Sequence, residues 1–426
     1  ADNKKRLGEY KKALAGFKAA LDINPAQIGA LEGAIDTLTV LGKEDDARST
    51  IEILDKLVET TGQNAMSLAY FHLERGNKDR AHQLFTRLLA KNNDDIHALR
   101  GLCIAANHAP PATVISRLVA VATSPKSSLK VKGIACHSLG HILDRKGDIE
   151  AAFAYFKQAN KYRQQQHPYL LEDDIKTLHK IKELFVKHKA EFKQQPRPTG
   201  SEITPIFIVG MNRSGTSLLE QILDMHPDIQ GLGELETTRR WFDQNMSNGF
   251  TNPQAIADLR EQYLANLQNH DISSRFIIDK MPANFRFVGF LALAFPTAKF
   301  IAMQRAKPAV IWSNYTQHYN NFAHSYTHDL NDLAAYYDAS QYLVDYWHAR
   351  IPRRLLKVNY EDLIHNPDAE LKTVFHFLNF TFDREFLNFF KNNRVARTAS
   401  ALQVKEPLQK DANAAWRRYA AFLPNQ

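Results

Sequence analysis

Cysteine is scarce: Cys103 and Cys136 are the only two in 426 residues. They share no CxxC spacing and no HExxH occurs, which argues against a disulfide framework or a structural zinc site, and no metal is expected. Long apolar runs are missing too. No stretch approaches the roughly 18 to 20 residues a membrane span requires, and the charged opening "ADNKKRLGEYKK" has no apolar signal-peptide segment. The expectation is a cytoplasmic chain with no membrane partner. It begins without methionine and in mid-pattern, as if an upstream segment had been removed. A dense block of one charge is also lacking. The net +8 arises within the first 200 residues, while basic and acidic side chains balance from 201 onward. Spread so thinly, the excess reads as a solvated surface, and no nucleic-acid partner is expected.

What is present suits a packed globular chain: 44% apolar residues, 10% aromatic, and length enough for two or three domains. Gly8, Gly42 and Gly76 recur every 34 residues, each followed five positions later by Ala13, Ala47 or Ala81. That is the tetratricopeptide period. "LGEYKKALAGFKAALDINP", "RGNKDRAHQLFTRLLAKNN" and "KGDIEAAFAYFKQAN" each place a glycine at a turn, then a small alanine and an aromatic (Phe17, Phe85, Phe156) on the inward helix face. The step from Gly76 to Gly147 is two periods plus three residues, so the unit around "ANHAPPATVISRLVAVA" is degenerate, with Pro110 and Pro111 at its turn. Residues 1–192 are therefore expected to form an α-solenoid. Its concave face would take a protein or peptide partner, or the array would serve as a spacer or a homodimer surface.

Three prolines and a glycine in "KQQPRPTGSEITP" mark a linker, placed at 193–204, ahead of an α/β domain over 205–426. There "IFIVG" reads as a buried parallel strand and "TSLLEQILDMHP" as the helix after it. The intervening "MNRSG" resembles a phosphate loop in which Thr216 stands where a nucleotide triphosphatase has lysine. Loop amides, a helix N-terminus and the Arg213 guanidinium suit an anion. Three further apolar runs read as strands: "RFIIDK" ending in Asp279 and Lys280, "AKFIAMQR" ending in Arg305 with Ser313 near the start of the next helix, and "RLLKVNYEDLI" delivering Tyr360. An arginine and a lysine at such ends would neutralise a leaving group that carries no γ-phosphoryl. A degenerate Mg-dependent kinase using Asp279 and a catalytically dead repeat scaffold are the alternatives. His324 and His328 have i, i+4 spacing without a third ligand nearby and read as surface or pocket histidines. The aromatic run 336–347 reads as a packed helix face.

Taken together, "PIFIVGMNRSGTSLLEQILDMHPDIQGLGE", "DKMPANF", "FIAMQRAKPAVIWS", "VNYEDL" and "RTASALQVKEPLQKDANAAW" resemble the sulfotransferases that use 3′-phosphoadenylyl sulfate. The likeness, over roughly 203–424, is to the tyrosylprotein sulfotransferase branch and its bacterial relatives with tetratricopeptide repeats. The resemblance implies that Arg213, Ser214, Gly215, Thr216 and Ser217 surround the donor's 5′-phosphosulfate. It makes Glu234 the base on the acceptor hydroxyl, with Glu236 as its rival, and Lys280 the cation on the bridging oxygen. Arg305 and Ser313 would hold the 3′-phosphate and Tyr360 the adenine. Ser400 would stand at the reaction centre, with Arg397 and Gln403 beside it, in a loop that ends at Trp416. It further implies adenosine 3′,5′-bisphosphate as product and a phenolic acceptor, a peptide tyrosine or a small phenol. The sequence departs from the family pattern at Glu236, Gln317 and Ala415, where it lacks cations that the pattern carries.

Overall fold

The structure, a computed structural model, describes residues 1–6, 8–63, 66–106, 110–194, 203–247, 254–319, 322–392, 394–395, 398 and 400–424. The first half is helical throughout. Paired helices run from Tyr10–Ile23 and Ile28–Val40 through Glu44–Thr61, Met66–Glu74, Lys78–Lys91, Ile96–Ala105, Ala112–Thr123, Leu129–Lys146 and Ile149–Gln166 to Leu171–Gln194. Among the described residues no helix is long and apolar enough to cross a membrane.

The 34-residue period has two physical causes. Gly42 and Gly76 sit at helix-to-helix turns with φ of +73° and +81°, where a side chain would be strained. Phe17 and Phe85 are buried and each fills a bare patch on the following helix: a Cβ on Gly33 or Gly101 would stand 2.3 or 2.4 Å from those rings. Beyond the degenerate unit the partner changes. Phe156 packs back onto Gly140 of the preceding helix, where a Cβ would stand 2.8 Å from its ring.

The second half holds a five-stranded parallel sheet of order β2-β3-β1-β4-β5, with β1 Thr204–Gly210, β2 Ile229–Gly231, β3 Phe276–Asp279, β4 Lys299–Gln304 and β5 Leu355–Asn359. Strand alternation divides the core. Ile206, Ile208, Ile278, Ile301 and Met303 face one layer, which includes the helix Thr216–Leu223. Phe207, Val209, Ile277, Phe300 and Ala302 face another, which also takes in Trp241, Tyr263 and Trp347. Ala152, Phe156, Leu178, Ile181 and Phe185 belong to that second layer. The apolar core thus runs across the expected linker, of which residues 195–202 lie outside the described ones.

Two small differences from expectation matter for the site. The short strand β2 has no alternating pattern long enough to be read, being three residues. The helix after β4, Lys307–Tyr315, is shorter than its apolar run implied, and Ser313 lies in its last turn rather than at its N-terminus. Tyr360 likewise opens the helix Tyr360–His365 just beyond β5.

Candidate active site

Because the strands are parallel, their C-terminal ends lie along one edge, where ligands of open α/β sheets bind. Each end carries a residue singled out from the sequence: Arg213 after β1, Glu234 after β2, Lys280 after β3, Arg305 after β4 and Tyr360 after β5. A single topological fact brings together positions spread over nearly 150 residues of chain.

The loop after β1 is shaped by backbone that few residues adopt. Arg213 has φ +66° and Gly215 φ +100°. A left-handed non-glycine residue costs about 1–2 kcal/mol, a strain that concentrates at functional sites. At Gly215 the approach of Tyr360 adds a second constraint: a Cβ there would stand 2.5 Å from the tyrosine ring. The loop then opens the helix Thr216–Leu223, whose first residues Thr216 and Ser217 are buried. Ser214 is buried as well and donates its hydroxyl to the Met211 carbonyl at 2.7 Å, so that side chain serves the turn.

Arg213 gathers three of the expected residues. Its Nε donates to Ser313 Oγ at 2.9 Å, Nη1 to Ser400 Oγ at 2.5 Å and Nη2 to Gln403 Oε1 at 2.8 Å. Ser217 Oγ donates to Thr398 Oγ1 at 3.1 Å, a second tie between the loop and the C-terminal segment. Arg305 donates to the Arg213 carbonyl at 2.7 Å and stacks its guanidinium 4.5 Å from the Tyr360 ring centre. Burial lowers the pKa of both arginines from the ordinary guanidinium value. Desolvated cations of this kind gain most from an anionic ligand. Arg397 lies outside the described residues.

Lys280 and Glu234 form a second group. The lysine side chain is fully buried, and its Nζ donates to Glu234 Oε1 at 2.5 Å, with Glu220 at 3.9 Å behind it. Glu234 remains 39% exposed, so its carboxylate is reachable from outside and stands in front of the lysine. The rival Glu236 pairs instead with Arg240 at 3.4 Å on an exposed helix start.

Several residues that hold this site were missed from the sequence. The backbone on either side of Glu234 is fixed by buried carboxyls: Gly233 donates its N–H to Glu220 Oε1 at 2.9 Å, and Leu235 its N–H to Asp279 Oδ1 at 3.4 Å. Arg394 bonds Glu220 at 2.6 Å and so links the C-terminal segment to the same turn. A glutamate buried inside the apolar helix "TSLLEQIL" was the available signal for Glu220. Asp279 also accepts from the Tyr263 hydroxyl at 3.2 Å and has no exposed surface; burial pushes its pKa up to about 8. With Asn284 Nδ2 also donating to it at 3.4 Å, this aspartate serves the turn that carries Glu234. Tyr319 is partly buried, donates to Asn314 Oδ1 at 2.6 Å and has its pKa raised by burial, with Arg213 and Glu234 both acting on it electrostatically. It therefore stands near both groups of the site. Asn212 Nδ2 donates to His324 Nδ1 at 3.1 Å, and His328 is buried. Among the described residues no group of three or more metal-ligating side chains stands together.

Residues 205–384 match the family model described as Sulfotransferase family, and residues 134–166 match that of the Tetratricopeptide repeat. The part of the chain that matches the Sulfotransferase family thus follows tetratricopeptide-type helices. It is similar to an uncharacterized protein of Aquifex aeolicus, 26% identical over 73% of this chain and 42% of that protein. It is also similar to a putative protein-tyrosine sulfotransferase of Caenorhabditis briggsae (24% identical, 50% of this chain, 80% of the relative) and to protein-tyrosine sulfotransferase 1 of Danio rerio (27%, 41% and 52%). The chain spans less than half the length of the Aquifex relative and about half that of the Danio one. A sulfotransferase domain from the Synechococcus PCC 7002 olefin synthase is a solved structure 21% identical to it, covering 55% of this chain and 94% of that one at a TM-score of 0.40.

Proposed function

We propose that the sulfotransferase-family domain moves a sulfuryl group from 3′-phosphoadenylyl sulfate to a hydroxyl, a phenolic one on a peptide tyrosine or a small phenol. The observation that carries this reading is the pair of cationic clusters on one sheet edge: Arg213 with Ser313, Ser400 and Gln403, and buried Lys280 with Glu234. The loop and helix N-terminus suit a 5′-phosphosulfate, and the close approach of Tyr360 to Gly215 suits a base lying beside the phosphates. Arg305 and Ser313, both bonded to Arg213, suit the 3′-phosphate.

In this mechanism Glu234 takes the acceptor's hydroxyl proton as its oxygen attacks sulfur. The new O–S bond forms while the bond from sulfur to the phosphate oxygen breaks, and adenosine 3′,5′-bisphosphate leaves with that electron pair. Lys280 neutralises the departing oxygen. Once the donor occupies the site, the lysine exchanges its bond to Glu234 for that oxygen, which frees the carboxylate to act as base. Arg213 and Ser400 hold the sulfuryl oxygens, and since such transfers need little covalent help from the protein, positioning and charge supply most of the rate.

Direct titration with adenosine 3′,5′-bisphosphate tests the donor site. The purified chain is expected to bind it, and Arg213→Ala to weaken binding by a factor of about 10 or more, the loss of one charge-assisted contact. Equal affinity in both proteins would refute the assignment.

A further inference from the structure

The first helices of the array reach the same edge of the sheet. The short helix Asp2–Arg6, the start of Tyr10–Ile23 and the turn after Ile28–Val40 face the segment that follows β2. Between them lies a cavity of about 550 Å³ whose walls include Tyr10, Leu41 and Gly42 from the array and Leu232, Glu234 and Met281 from the catalytic domain. The candidate base is therefore part of its wall, and Met281 directly follows Lys280.

The array is fastened at this point. Lys11 and Lys43 converge on Asp271 at 3.3 and 3.0 Å, and the Tyr10 ring meets His270 edge-on at 5.6 Å. We propose that the first helices of the array form the outer wall of the acceptor site, so that the repeats read the acceptor's phenolic ring at the catalytic centre. This rests on the reading of Glu234 as the base.

Two features select a neutral ring. The size suits a small ligand or one side chain with its flanks, pockets of a few hundred Å³ being usual for such ligands. Except for exposed Asp2, the charged side chains around the cavity are taken up by partners: Lys5 by Asp36, Glu236 by Arg240, Asp271 by Lys11 and Lys43, Arg394 by Glu220, and Glu234 by Lys280. What remains for a ligand is a mixed slot: Tyr10, Leu41, Leu232 and Met281 offer apolar surface, beside the base, Thr39 and the His270 ring, whose nitrogens bond no other side chain among the described residues.

Calorimetric titration of the full chain, with and without saturating adenosine 3′,5′-bisphosphate, tests this with two probes: 4-nitrophenol and a short peptide with one central tyrosine. The wild-type chain is expected to bind at least one of them. Binding of the small phenol alone identifies a small-molecule acceptor, and binding of the peptide a tyrosyl one. Tyr10→Ala should weaken that probe about two- to tenfold, the worth of one aromatic contact. Lys11→Glu with Lys43→Glu should weaken it too, and adding Asp271→Lys should restore it. Affinity for the bisphosphate should stay within about twofold throughout, because the two sites share no residue that is changed. Binding of neither probe by the wild-type chain overturns the proposal, as does unchanged probe affinity in both array variants. Failure to bind the bisphosphate overturns the donor reading instead, and the titration without it still reports on the cavity.

Discussion

Arg213 shows how one residue can be both legible and unexpected. Its position in "VGMNRSGTS" announced an anion site, but nothing local announced that it would collect Ser313, Ser400 and Gln403 from two distant segments. Glu234 and Lys280, 46 residues apart, were matched through the family resemblance, and the structure sets them 2.5 Å from each other. Their supports Glu220 and Arg394 escaped notice, and Asp279 was read only as a possible Mg ligand, because these roles depend on burial and on backbone partners, which spacing in a sequence does not encode. Asp279 offers a test at this scale. Its carboxyl is held neutral by burial, with the folded pKa pushed up to about 8 and the unfolded one near the ordinary aspartate value of 3.8. The stability it contributes is complete below pH 4 and is lost as pH rises toward 8, at up to about 1.4 kcal/mol per pH unit. Asp279→Asn should therefore gain stability relative to the parent as pH rises from 5 to 8, read by urea unfolding at both values. A parallel shift in the two proteins would contradict the assignment.

Among the elements, those with strong periodicity were readable and the short ones were not. β1, β3, β4 and β5 showed as apolar runs, and the array showed through its spaced glycines. β2 has only three residues, yet it carries the turn to Glu234. The loop between β1 and the next helix was legible in its glycine and its arginine, though the reason Gly215 has no side chain lies in Tyr360, far along the chain. Gly215→Val would place methyl groups against that ring at a left-handed φ. The expected outcome is a loss of about 1–3 kcal/mol in stability together with weaker binding of adenosine 3′,5′-bisphosphate. A variant as stable and as tight as the parent would contradict the close approach.

At the scale of the whole molecule, the composition suggested a solenoid and a separate α/β domain joined by a linker. The described residues show more intimate contact. Asn160 donates to the Tyr315 carbonyl at 2.9 Å, Arg163 to the Tyr319 carbonyl at 2.5 Å, and the ring nitrogens of His137 and His141 to the Thr316 carbonyl at 2.6 and 3.0 Å. Burial lowers the pKa of His141 to about 4, which keeps that contact neutral at ordinary pH. These bonds hold the segment between Ser313 and Tyr319, directly behind Arg213. Such docking was invisible in the sequence because it joins a helix face to a loop's carbonyls. A fragment beginning at Leu129 should therefore melt cooperatively, while one beginning at Thr204 would bare the surface that Phe156, Ile181 and Phe185 cover and should not. Comparable cooperative melting of both would show that the helices before the sheet are dispensable to its core.

The most direct test is turnover itself. The full chain is incubated with 3′-phosphoadenylyl sulfate and either 4-nitrophenol or a tyrosyl peptide, and acceptor mass and released nucleotide are followed together. The expected result is an acceptor heavier by one SO₃, with adenosine 3′,5′-bisphosphate formed in equal amount, and a rate about 10² to 10⁴ lower in Glu234→Gln, the usual worth of a general base. Nucleotide released without a sulfated acceptor, or a Glu234→Gln chain as fast as its parent, would contradict it.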